Sequence, residues 1–122
     1  MAVELYLYRD DEGEVPLLAW LERLPRKVRE KCLARVSRLA EFGHELRRPE
    51  ADFLRDGIYE LRASYQGVHY RMLYFFSGKA IVVLSHGLTK EREVPKGEID
   101  KAATRKKSVE ADFERYTVIP EF

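Results

Sequence analysis

The stretch GIYELRASYQGVHYRMLYFFSGKAIVVLSHG, residues 57–87, decides the fold of this chain. Three runs rich in Tyr, Phe, Val and Ile are separated by Gln66-Gly67 and Ser77-Gly78. A glycine in a two-residue connection supplies the positive φ that a primed hairpin turn requires, so three antiparallel strands in a meander are expected. With two-residue turns the register follows by counting outward. Tyr65 then faces Val68, Ser64 faces His69 and Arg62 faces Arg71 across the first turn; Phe76 faces Lys79, Arg71 faces Leu84 and His69 faces His86 across the second.

Side chains alternate between the faces of a strand. Tyr59, Leu61, Ala63, Tyr65, Tyr70, Met72, Tyr74, Phe76, Ile81 and Val83 thus form a core face, and Arg62, Ser64, His69, Arg71, Leu84 and His86 share the other. Two arginines directly opposite each other repel, at a cost of up to about 1 kcal/mol. From Leu61 to Lys90 the chain holds Arg62, Arg71, Lys79 and Lys90 and neither Asp nor Glu. An anionic ligand would relieve the repulsion, and so would Glu60 or an acid from elsewhere in the fold.

The 122 residues are enough for one domain, 1–122, with a real core. A net charge of +1 gives no global attraction to nucleic acid or membrane, but bases outnumber acids after residue 60, where a polyanion is expected to meet the chain. The single cysteine, Cys32, excludes a disulfide framework and a zinc site of paired thiolates, and its place on an apolar helical stripe makes it core filler. The apolar runs are short and the N-terminus lacks the order of a secretory signal, so a cytoplasmic location is expected.

Val3 to Arg9 alternates as a half-buried strand, and Pro16 opens a helix whose buried side is Leu17, Leu18, Trp20, Leu21 and Leu24. Trp20 is expected to anchor the core. Pro25 opens a second helix in which Val28, Cys32, Val36 and Leu39 recur at three- and four-residue steps, ending at Gly43. Its basic face is expected to be solvated, to meet an acidic segment, or to hold RNA. Arg47-Arg48-Pro49 reads as a connecting loop, and Pro95 begins a helix with Ile99, Ala102, Ala103, Val109 and Phe113 on one side and Lys101, Arg105, Lys106 and Lys107 on the other. That helix is expected to cover Ile58, Leu73, Phe75 and Val82. The tail from Thr117 is indeterminate.

No phosphate-binding loop, dinucleotide fingerprint, metalloprotease helix or nucleophile elbow is present, and no metal or cofactor is expected. Metal-free chemistry on a phosphate, or binding alone, remains. Cleaving RNA this way needs a base for the 2′-hydroxyl proton, an acid for the leaving oxygen and cations for the phosphorane-like transition state. Arg62 and Arg71 are the candidate cations, His69 and His86 the candidate proton carriers, and Lys90 fits either role. The histidines also fit a cross-strand pair without chemistry.

The order strand, two helices, meander and helix, with Leu54 to Arg62, Tyr70 to Phe76, His86 to Lys90 and the Pro-x-x-Glu-Ile-x-x-Ala of Pro95 to Ala102, resembles the phage-derived HigB-type branch of the RelE/ParE toxin superfamily. The resemblance implies an α+β, RelE-like fold. It also implies a toxin that cleaves mRNA on the ribosome and is silenced by a helix-turn-helix antitoxin. By position, Arg62, Arg71 and Lys90 match the family's basic site residues, with Arg47, Arg48, Lys101, Arg105 and Lys106 as further RNA-binding cations. Val94 and Pro95 stand where RelE-type enzymes carry a tyrosine. The alternatives are a ParE-like inhibitor that binds gyrase without hydrolysis, and a phage-derived binding module without activity.

Overall fold

A computed structural model describes residues 2–89 and 92–122. Strand β1 (Glu4–Tyr8) leads into helices α1 (Pro16–Glu22) and α2 (Arg26–Phe42), a 3-10 turn at Gly43–Glu45, and a run of strands β2 (Ala51–Arg55), β3 (Ile58–Tyr65), β4 (Val68–Ser77) and β5 (Ile81–Thr89). Helix α3 (Lys96–Ala111), the single turn α4 (Phe113–Tyr116) and the short strand β6 (Thr117–Val118) follow. The six strands lie in the order β2-β3-β4-β5-β1-β6, antiparallel except for the β1–β5 pair. This is an α+β fold with an open, mostly antiparallel sheet.

Both faces of the sheet are covered, which explains why β4 carries an almost unbroken apolar run. One face packs Leu61, Ala63, Met72, Tyr74 and Leu84 against α1 and α2, whose stripe of Val28, Cys32, Val36 and Leu39 is buried as the spacing predicts. Burial raises the Cys32 thiol to about 11, consistent with filler rather than a nucleophile. The other face packs Ile58, Leu73, Phe75 and Val83 against Ile99, Ala102 and Val109 of α3. Trp20 is a core anchor: its ring lies on Gly87, where an added Cβ would come within 2.1 Å, and its Nε1 donates to Thr89 Oγ1 at 3.1 Å.

The first hairpin has the predicted register, with Arg62 opposite Arg71 and Ser64 opposite His69. Its turn residues Gln66 and Gly67 both have positive φ, 49° and 79°, as a type I′ turn needs. The second hairpin departs from expectation. Ser77 pairs with Ile81, so the loop has three residues, Gly78 to Ala80, and the faces of β5 are exchanged. Leu84 and Val82 therefore belong to the α1–α2 core, while Ile81 and Val83 face α3, the reverse of the counted assignment. A bulge at Ser85 then restores parity, because Tyr74 pairs with Leu84 but Leu73 pairs with His86. His86 regains the face of Arg71, yet it lies opposite Leu73 and not opposite His69.

Two strands escape the sequence reading. β6 has only two residues, and β2 lies in a segment without strong periodicity. Asp56-Gly57, with φ of 54° and 78°, is a second type I′ turn, and this dipeptide was the available signal for β2. Among the described residues no helix is long and apolar enough to cross a membrane.

The contact between Trp20 and Gly87 makes a direct test of packing. Gly87→Ala is expected to lower stability by about 1–3 kcal/mol through overpacking, read from urea unfolding followed by circular dichroism. An unchanged midpoint would mean that the indole does not fill this gap.

Candidate phosphate-binding site

Sheet geometry sets an alternating pattern of charge on the α3 side of β2, β3 and β4. Asp52 lies opposite Glu60, and Arg62 lies opposite Arg71. Each opposed pair is repulsive, but residues two apart on one strand share a face, so each acid reaches a neighbouring base. Glu60 Oε1 accepts from Arg62 Nε at 2.6 Å and from Arg71 Nε at 3.0 Å. Asp52 Oδ2 accepts from an Arg62 terminal nitrogen at 3.3 Å and forms an ion pair with Arg48 at 2.7 Å. Glu60, expected above as one possible partner of the arginines, binds both of them.

Glu60 is buried, and Arg71 is only 8% exposed. Arg71 also donates to the Arg92 carbonyl at 2.8 Å, which brings the segment after β5 over the end of the site. The Arg62 side chain keeps 34% of its surface exposed, so it is the arginine more open to solvent. α2 contributes a third guanidinium: Arg35 donates to the Arg62 carbonyl at 2.9 Å and to Glu50 at 3.0 Å. Arg38 also binds Glu50, so one acidic side chain meets the basic face of α2.

Arg35, Pro49, Arg62, Ser64, His69 and Arg71 line a cleft of about 450 Å³ with no carboxylate among them. Exposed His69 shares a hydrogen bond with Ser64 Oγ through Nδ1 at 3.1 Å; in the tautomer whose Nδ1–H donates to the hydroxyl, Nε2 is the nitrogen that can accept a proton. Three cations, a hydroxyl and an imidazole at one cleft suit a phosphodiester.

His86 is not part of this cleft. Its Nδ1 lies 3.1 Å from an Arg105 nitrogen, which can only donate, so Nδ1 accepts and the ring is the neutral Nε2–H tautomer. Nε2 donates to Glu98 Oε1 at 2.9 Å, and Ser85 Oγ donates to Nδ1 at 2.7 Å. Burial, and then the charge of Arg105, push the imidazole down to about 4 despite the carboxylate. The cluster fastens β5 to α3.

The other sequence candidates disperse. Arg105 stacks over the Tyr8 ring at 4.8 Å, Lys101 approaches Glu98 at 3.5 Å and Lys106 pairs with Glu110 at 3.2 Å, all along α3. Arg47 donates to the carbonyls of His44 and Leu46, and both Arg47 and Arg48 border a different cleft at the β2 edge. Lys90 lies outside the described residues. Arg35 and Ser64 complete the cleft without having been singled out as site residues. Arg35 could not be chosen from sequence, because it is one of many bases on α2. No group of three or more His, Cys, Asp and Glu among the described residues could hold a metal ion.

Residues 19–107 match the family model described as Phage derived protein Gp49-like (DUF891). No curated protein matches the chain.

Two outcomes are expected from the charges. Glu60→Gln should lower stability by about 3 kcal/mol, because it leaves guanidiniums without their buried partner. Inorganic sulfate should then raise the melting temperature of this variant more than that of the wild type, and an equal response would argue against an anion site. The second outcome concerns pH. Unfolded His86 takes up its proton near 6.5 and folded His86 only near 4, so its contribution is complete above pH 6.5 and lost as pH falls toward 4. Glu98, held low by His86 and Lys101 against the effect of burial, acts in the same direction at still lower pH. Urea midpoints should fall between pH 6.5 and 5 in the wild type and be flatter in His86→Gln.

Proposed function

From the premise that the chain belongs to the Gp49-like family, a phage-derived family of RelE/ParE-like toxins of toxin–antitoxin systems, we propose that it is a metal-free endoribonuclease acting on mRNA at the ribosome. The observation that carries this reading is the cleft of Arg35, Arg62, Arg71, Ser64 and His69, lined by three arginines whose carboxylate partners, Glu50, Asp52 and Glu60, stand behind the lining. In this reading the fold is RelE-like, the chain belongs with the HigB-type branch, it works in the cytoplasm, and a helix-turn-helix antitoxin silences it.

The chemistry follows from the cleft. His69 Nε2 takes the proton of a ribose 2′-hydroxyl, the 2′-oxygen forms a bond to the adjacent phosphorus, and the bond from phosphorus to the 5′-oxygen breaks. The products are a 2′,3′-cyclic phosphate and a 5′-hydroxyl. Arg62 and Arg35, backed by Arg71, offset the charge that gathers on the phosphoryl oxygens. Lys90 is assigned the proton for the leaving oxygen. A ligand phosphate competes with Glu60, Asp52 and Glu50 for the guanidiniums. His86 is assigned a structural role, because both ring nitrogens are engaged at the base of α3.

That same pairing favours a second reading. Glu60 engages both Arg62 and Arg71, an arrangement compatible with a ParE-like protein that binds gyrase and hydrolyses nothing. Induced expression in a bacterial host separates the two. Wild type should arrest growth and leave discrete cuts inside translated regions on primer extension, whereas Arg71→Ala and His69→Ala should do neither while still binding antitoxin. Arrest with intact messages would transfer the assignment to gyrase or another bound target.

A further inference from the structure

A second cleft, of about 620 Å³, opens at the β2 edge, bordered by His44, Arg47, Arg48, Asp52, Phe53 and Tyr59; Phe53 and Tyr59 lie on the sheet face opposite to Arg62 and Arg71, so the two clefts meet around the edge strand. The proposed chemistry does not use it. Arg48 and Pro49 are consecutive, and each lines one of the two clefts. Asp52 Oδ2 binds Arg48 of this cleft and Arg62 of the other, at 2.7 and 3.3 Å, so one carboxylate oxygen joins the two.

The contents of the cleft are an aromatic platform and cations. Phe53 is 53% exposed, among the few large apolar side chains turned to solvent, and its ring meets Tyr59 edge-on at 5.1 Å. Tyr59 is stacked in turn on Tyr74 at 5.3 Å, and His44 on Phe76 at 3.6 Å, so the platform rests on core aromatics. Arg48 keeps 74% of its side chain exposed. The one acid in the lining, Asp52, is already engaged by Arg48 and Arg62. An exposed ring on a fixed base, flanked by guanidiniums whose acid is satisfied, suits a ligand that is flat and aromatic at one end and anionic at the other. A nucleotide of a single strand has both features, and base–aromatic stacking tolerates any sequence.

We propose that the Phe53 cleft holds the base of a nucleotide next to the one whose phosphate lies in the Arg62–Arg71 cleft, with Arg48 on the intervening backbone. The inference rests on the reading of the first cleft as an RNA site. It assigns Phe53 and Arg48 to binding and positioning of the strand, not to the reacting atoms.

The test uses a fluorescein-labelled 2′-O-methyl octauridylate, which lacks the attacking hydroxyl, with anisotropy measured at low salt. The wild type should bind, Phe53→Ala should bind about tenfold more weakly, and Phe53→Trp should keep its affinity and show quenched indole emission when RNA is added. Melting temperatures of both variants should stay near that of the wild type, because Phe53 is exposed. Equal binding by Phe53→Ala and wild type, with Arg62→Ala still weakened, would overturn the inference and leave the RNA reading standing. Unchanged RNA binding accompanied by loss of a Glu-rich peptide ligand would give the cleft to a protein partner and also overturn it. No binding by the wild type would remove the RNA reading and this inference with it.

Discussion

A buried carboxylate on β3, Glu60, is the constraint on which the site depends. Two guanidiniums held face to face across β3 and β4 would repel, and one oxygen of Glu60 takes a hydrogen bond from each. The arrangement demands several things of the surrounding fold. β2 must pair with β3 so that Asp52 can hold the outer side of Arg62, and α2 must lie close enough for Arg35 to reach the Arg62 carbonyl. Arg92 must also lie where its carbonyl reaches Arg71. Buried ion pairs return little net stability against well-packed apolar groups. Their value here is position: the arginines stay fixed at the mouth of a cleft.

The same sheet face carries a second polar cluster with a different role. Where β5 bulges at Ser85, both Ser85 and His86 meet α3, and Arg105 closes the group from the helix side. A regular strand would have sent His86 into the α1–α2 core. The face has an apolar, helix-covered half built on Ile58, Leu73 and Phe75, and an open half at Arg62, Ser64 and His69. The α3 packing and the open cleft share one sheet face, and the bulge adds His86 to the packed part of it.

The legible part of the fold was the part governed by local rules. Gln66-Gly67 fixed the first hairpin, and with it the opposition of Arg62 and Arg71 and the placement of Ser64 and His69. Proline positions and the three- and four-residue spacing gave α1, α2 and α3. The second hairpin was misread because Ser77-Gly78 signals a turn without stating its length, and one added residue exchanges the faces of an entire strand. The Ser85 bulge left no compositional mark, so the opposition of His69 and His86 could not be checked by counting. β2 was passed over because an edge strand with Asp52, Phe53 and Arg55 has no clean alternation, although Asp56-Gly57 announced its turn. Arg35 and the Phe53 cleft required tertiary contacts, since both arise where α2, the β2 edge and the loop between them converge.

Metal-free transesterification in the arginine-lined cleft, as proposed, leaves a particular chemical end. A purified ribosome complex carrying a defined message, treated with the protein in the presence of a chelator, should yield upstream fragments ending in 2′,3′-cyclic phosphate and downstream fragments beginning with a 5′-hydroxyl. Fragments with a 3′-hydroxyl, or cleavage that requires a divalent cation supplied by the protein, would contradict the account.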